Sequence, residues 1–184
     1  MIRALGMLKK DLEAKARRYY KGDGPKDVLK ALAADGSSAM VLYRLQQGAR
    51  ESGLKPLEAL FYKMNAWGGC VIGRGADFGP GFVLLHSNGV VINGKVKGGE
   101  NVQVQHQVTI GNNEKEEAPV LGSNIVIGAG AKVIGPITIG DGAKVGANAV
   151  VVHDVPPETT VVGIPAKPVA RRTPSVEASD KKQN

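Results

Sequence analysis

The chain is expected to be mainly β, built from stacked short strands behind an N-terminal helical region. Two observations carry this expectation. From Ile72 onward an apolar residue returns every six positions, at Ile72, Phe78, Leu84, Val90, Val96, Val102 and Val108. After an interruption the period resumes at Leu121, Ile127, Val133, Ile139, Val145 and Val151. A unit this short cannot bury its own apolar face, so successive units must stack. Glycine, at 25 of 184 residues, is about twice as common as usual. It falls in register with the repeat at Gly73, Gly79, Gly122, Gly128, Gly140 and Gly146, as repeated tight corners require.

Three regions follow: helices over 1–66, the repeat over 67–164 and a polar tail over 165–184. In the first, Leu5, Leu8, Leu12, Ala16 and Tyr19 recur at helical spacing. Gly22-Asp23-Gly24-Pro25 breaks that helix. A short helix is expected over Asp27–Ala34. A longer one should run from about Ser37 to Ser52, with Met40, Leu42 and Leu45 among its apolar positions. Pro56 suits the first turn of a last helix reaching about Asn65, and Trp67-Gly68-Gly69 closes the helical part. The interruption at Gly111–Pro119 is charged and should loop outward from the stack. The last dozen residues have the composition of a disordered segment.

Composition excludes several classes. The single cysteine, Cys70, rules out an intramolecular disulfide and fits a reducing cytoplasm. It reads as a packed small hydrophobe rather than an acyl carrier. No stretch of about 18 apolar residues exists to span a membrane, and the N-terminus lacks the apolar run of a signal peptide. The net charge is +7. Residues 1–30 hold nine Lys/Arg against four Asp/Glu, which reads as a solvated helix face. Nucleic acid is not an expected partner, because no aromatic residues interleave with the basic ones.

The pattern of an aliphatic residue, glycine, two variable positions and a small residue resembles the hexapeptide repeat of left-handed parallel β-helix acyltransferases. The resemblance implies a left-handed parallel β-helix with three hexads per triangular coil of eighteen residues. It further implies a homotrimer and acetyl-CoA as co-substrate. Within it, Leu84-Leu85-His86-Ser87-Asn88-Gly89-Val90-Val91-Ile92-Asn93 resembles the D-H-x-x-G-x-x-x-G stretch of serine acetyltransferases, whose histidine is the catalytic base. It matches the H-x-x-G-(I/V)-V-I-N form of capsule and exopolysaccharide O-acetyltransferases more closely. Histidine suits proton removal near neutral pH, so His86 is the expected catalytic residue. His106, twenty residues on, should lie one rung away and could shape the acceptor pocket. His153 reads as a surface or cofactor-adjacent residue, not a catalytic one. The stretch from Asp35 to Arg50 resembles the K-G-x-x-A-x-x-x-(Y/H)-R-(I/V) helix of serine acetyltransferases, with Gly36, Ala39, Tyr43 and Arg44 in register.

On this resemblance His106, Asn88, Arg44 and Asp23 are expected to bind the acceptor. Gly111, Ala129, Ala147, Lys167 and Arg171 are expected to bind coenzyme A, the alanines along the pantetheine arm and the two cations at its phosphates. No metal is expected. Asp77 and Asp23 are candidates for the acid that orients His86.

Some serine acetyltransferase signatures are missing. Leu85 replaces the Asp before the base. Val71, Ile72, Gly73 and Arg74 stand where an upstream D-I-H-P would lie. Glu117, Ala118, Pro119, Val120 and Leu121 stand where R-H-P-K-I would follow the loop. A free amino acid needs charged partners at both ends, so these losses point to a saccharide hydroxyl as acceptor. Serine acetylation is the alternative, and a noncatalytic β-helix scaffold is a second.

Overall fold

A computed structural model describes residues 2–112 and 117–169. Among these residues four helices come first: α1 (Ile2–Tyr20), α2 (Pro25–Ala33), α3 (Ser37–Glu51) and α4 (Lys55–Trp67). Pro25 and Pro56 each sit in a first helical turn, where proline loses no hydrogen bond.

Among the described residues fifteen short strands, β1–β15, follow and form three faces. The first face carries β1 (Cys70–Ile72), β4 (Val90–Ile92), β7 (Thr109–Gly111), β10 (Lys132–Ile134) and β13 (Val150–Val151), paired in that order. The second carries β2 (Asp77–Phe78), β5 (Lys97–Gly98), β8 (Val120–Leu121) and β11 (Thr138–Ile139). The third carries β3 (Val83–Leu84), β6 (Gln103–Val104), β9 (Val126–Ile127), β12 (Lys144–Val145) and β14 (Thr160–Val162), with β15 (Lys167–Pro168) added antiparallel at its end. The other pairings are parallel, so the chain winds as a solenoid.

The coils are not uniform. Cys70 pairs with Val90 and Val83 with Gln103, twenty residues on, whereas Val91 pairs with Thr109 after eighteen. Two extra residues therefore lie between β3 and β4, in Leu85–Gly89. They shift the frame, which the six-residue period conceals. Val90, Val96, Val102 and Val108 are all buried, but they match Cys70, Ala76 and Phe82. Ile92, Gly98, Val104 and Ile110 take the positions that match Ile72, Phe78 and Leu84. Each hexad has two inward positions, and apolar residues fill both, so the slip leaves no polar residue inside. Gly98 allows the frame to hold at β5: a Cβ there would stand 2.3 Å from the Phe78 ring. The third coil has five residues beyond eighteen, since Thr109 pairs with Lys132. Part of this insertion lies outside the described residues. Its far end, Pro119, is buried rather than looped outward.

The helices cover the first coil, where an edge leaves backbone groups without a rung to bond to. Side chains of α1 and α3 supply the partners. Gln46 Nε2 donates to the Ile72 carbonyl at 3.2 Å, and Arg44 donates to those of Phe78 and Gly79 at 2.8 and 2.7 Å. Tyr43 Oη donates to the Ala76 carbonyl at 3.3 Å and accepts from the Phe78 amide at 3.1 Å. Asp11 Oδ1 accepts from the Gly81 and Phe82 amides at 2.8 and 2.9 Å. This explains a departure from the apolar pattern. In α1 the buried residues include Asp11 and Lys15, while Leu5 and Tyr19 are exposed. In α3 Arg44, Gln46 and Gln47 are buried with Tyr43, while Leu42 and Leu45 are only half-buried. Among the described residues no helix is long and apolar enough to cross a membrane.

Candidate active site

His86 lies on the widened corner between the third and first faces, and its position is set from both sides. The Leu84 carbonyl, two residues before it, accepts from Lys15 Nζ at 2.9 Å. The Leu85 carbonyl accepts from Tyr19 Oη at 3.0 Å. Lys15 Nζ also donates to the Asp35 carbonyl. Burial lowers the Lys15 ammonium to about 8, against the pull of Asp35.

Residue 36 must be glycine here. Its φ is +79°, and a Cβ would stand 2.7 Å from the Leu84 carbonyl oxygen. This approach sets Asp35 beside the imidazole, with Oδ2 2.6 Å from His86 Nδ1. The hydrogen bond to His86 holds the Asp35 carboxyl below the usual range, helped by the Gly36 amide and opposed by partial burial. A carboxylate can only accept, so Nδ1 carries the hydrogen and Nε2 keeps its lone pair in the neutral ring. The side chains of His86 and Asp35 are 50% and 58% exposed, so a substrate can reach the ring. His106 stacks edge-on, with ring centroids 5.7 Å apart.

The corner continues upward as a column. Registers through Leu84, Val104, Ile127 and Val145 place His86, His106, Ala129 and Ala147 on successive rungs. The Gly130 amide bonds the His106 carbonyl at 2.9 Å and the Asn148 amide bonds the Ala129 carbonyl at 2.8 Å. Lys167 is exposed on β15, which pairs with β14 above the column. Asn88 is exposed on the same corner, and its carbonyl accepts from the Gln107 amide at 2.9 Å.

Other expected residues lie elsewhere. Arg44 cannot bind an acceptor: it is 1% exposed, and its guanidinium is used up on Asp11, Gln47 and the Phe78 and Gly79 carbonyls. Burial pushes the Asp11 carboxyl up, against the opposing pull of Arg44 and two backbone amides. Asp23 is paired with Arg17 at 2.8 Å on the surface. Asp77 accepts from Gln47 Nε2 at 2.6 Å on the second face. Neither orients His86; Asp35 stands beside the ring instead. Gly111 ends β7 at the opposite edge of the first face from His86, and His153 lies on that same far corner. Burial raises the Cys70 thiol to about 12, leaving it unreactive. Arg171 and the end of the tail lie outside the described residues. Among the described residues no group of three or more His, Cys, Asp or Glu could hold a metal ion.

Residues 118–153 match the bacterial transferase hexapeptide (six repeats) family. Serine acetyltransferase of Buchnera aphidicola subsp. Acyrthosiphon pisum is 36% identical over 154 residues, covering 81% of this chain and 56% of the relative. The chain spans about half the length of the curated relatives it matches. The crystal structure of Neisseria gonorrhoeae serine acetyltransferase superposes with a TM-score of 0.83 at 35% identity, covering all of this chain and 73% of that one. A serine acetyltransferase structure in complex with CoA superposes at 0.81 with 27% identity, covering 90% of this chain and 69% of that one. The chain therefore belongs to the hexapeptide-repeat acyltransferases, in their serine acetyltransferase-like group. The expected saccharide acceptor is overturned, because these relatives and neighbours are serine acetyltransferases. Of the missing motif residues that carried that expectation, only 117–121 lie at the five-residue insertion of the third coil.

Proposed function

We propose that this chain transfers acetyl from acetyl-CoA to the hydroxyl of serine, with His86 as the general base. One observation carries the catalytic part: a reachable imidazole whose Nδ1 is held by a carboxylate. The serine-directed part is supported by the names of its relatives. Nε2 of His86 takes the serine hydroxyl proton as the oxygen attacks the thioester carbonyl. The tetrahedral intermediate collapses, the carbon–sulfur bond breaks, and His86 returns its proton to the coenzyme A thiolate.

The column above His86 fits the co-substrate. Ala129 and Ala147 leave the corner shallow enough for the thin pantetheine arm, and Lys167 offers charge to the phosphates. His106 and Asn88 flank the base and complete the acceptor side. A homotrimer belongs to this proposal. Gly111 is too far along the first face to serve its own His86, so a neighbouring copy would bring such a glycine to the thioester.

The test follows release of the coenzyme A thiol from acetyl-CoA with and without L-serine. Serine should drive release and O-acetylserine should form. His86→Ala should lower kcat by roughly 10²–10⁴-fold with the fold intact. Wild-type turnover by that variant, or thiol release indifferent to serine, would overturn the reading.

A further inference from the structure

The first coil offers no acid to His86. Leu85 precedes it and Val71 lies under Val91 on the adjoining face, while Asp77 is already bonded to Gln47. The carboxylate beside the ring comes from the helical region, 51 residues away in sequence. It stands at the position where the related helix motif has lysine, so the local charge there is reversed. We propose that Asp35 is the positioning residue for His86, accepting Nδ1–H so that the ring presents the Nε2 lone pair to the serine hydroxyl. This rests on the reading of His86 as base.

The pair is built rather than incidental. Three features fix the backbone of residues 34–37 against the corner. Gly36 alone permits the close approach to Leu84. Buried Lys15 bridges the carbonyls of Asp35 and Leu84, one on each side of the pair. Ser37 Oγ donates to the Ala31 carbonyl at 2.6 Å, tying the α2–α3 turn. Tyr19 holds the next carbonyl, Leu85. Helix α1 thus splints both members, and neither can shift without breaking a bond to it. During transfer the ring becomes positively charged, and the Asp35 carboxylate then stabilises it.

The pair is half exposed, so water can replace part of the lost hydrogen bond. The expected loss is accordingly smaller than the ~10⁴ found when a buried triad acid becomes an amide. Asp35→Asn should lower kcat roughly 10- to 100-fold, with KM for acetyl-CoA changed by less than about 2-fold. Asp35→Glu should restore part of the rate. In a His86→Ala background, Asp35→Asn should cause no further loss.

A readout independent of activity comes from long-range ¹H–¹⁵N spectra of the histidine rings. Neutral His86 should carry its hydrogen on Nδ1 in the wild-type protein and move toward Nε2–H in Asp35→Asn. Wild-type spectra showing Nε2–H would overturn the proposal even if the variant failed to fold. So would an Asp35→Asn enzyme with unchanged kcat and tautomer. If His86→Ala retains full activity, the base assignment fails instead, and the two failures are distinct.

Discussion

The lower two coils and the upper two share one corner but build it differently. Above, Ala129 and Ala147 stand eighteen residues apart on regular corners whose amides bond the rung below. Below, Leu85–Gly89 is two residues longer and carries His86, and the Leu84 and Leu85 carbonyls are held by Lys15 and Tyr19 from α1. At this corner a coil inside the stack is satisfied by its neighbours and keeps the repeat, and the five extra residues of the third coil fall at another corner. The first coil has no rung beneath it, so foreign side chains must satisfy its backbone. That freedom from the repeat allows an irregular corner to hold a reactive group.

The largest test of this contrast removes the brace. Arg44→Met should cost about 3–5 kcal/mol, because it strands the buried Asp11 carboxylate. Hydrogen exchange should quicken at residues 78–82 and stay slow at 126–145. Adding Asp11→Leu should recover much of the loss; uniform loosening of both halves would contradict the division. Gly36→Ala comes next, at about 1–3 kcal/mol for a strained left-handed residue. Its Cβ also pushes Asp35 from His86, so the proposed serine acetylation should fall more than the denaturation midpoint suggests.

In the upper half the effect should be on function alone. Ala147→Phe, on an exposed corner, should leave the melting temperature within about 2 °C. It should raise KM for acetyl-CoA roughly tenfold, about 1.4 kcal/mol. A lower Tm with unchanged KM would assign Ala147 to packing instead.

The smallest effect is a pH dependence. Lys15 is lowered by burial from 10.5 to about 8 in the folded protein. Between those values the unfolded chain holds more protons, so this group makes stability rise with pH across that window. Denaturation of wild type against Lys15→Met from pH 7 to 11 should show this slope only in wild type. A slope of opposite sign would mean that the ammonium is favoured where it lies.

The stacked coils were legible because every inward position is a local choice of apolar residue. The four helices were legible from spacing and from the breaks at Gly22–Pro25 and Trp67–Gly69. The frame slip at Leu85–Gly89 was not, since Val90 and Ile92 both point inward and either phase looks intact. Arg44 matched a motif, and motif matching alone made it an acceptor ligand. Its burial depends on the edge carbonyls of Phe78 and Gly79, which no local pattern reveals. For Asp35 one signal existed: an acid immediately before a glycine that opens a helix.

By itself the sequence determined the solenoid, the helices before it and the candidate base, because periodicity and residue chemistry are properties of the chain read in order. The tertiary structure alone decided the frame of the second coil, the structural role of Arg44 and the choice of Asp35 over Asp23 and Asp77. Each of these depends on which groups from distant segments come within hydrogen-bonding reach, and distance in space is not written in spacing along the chain.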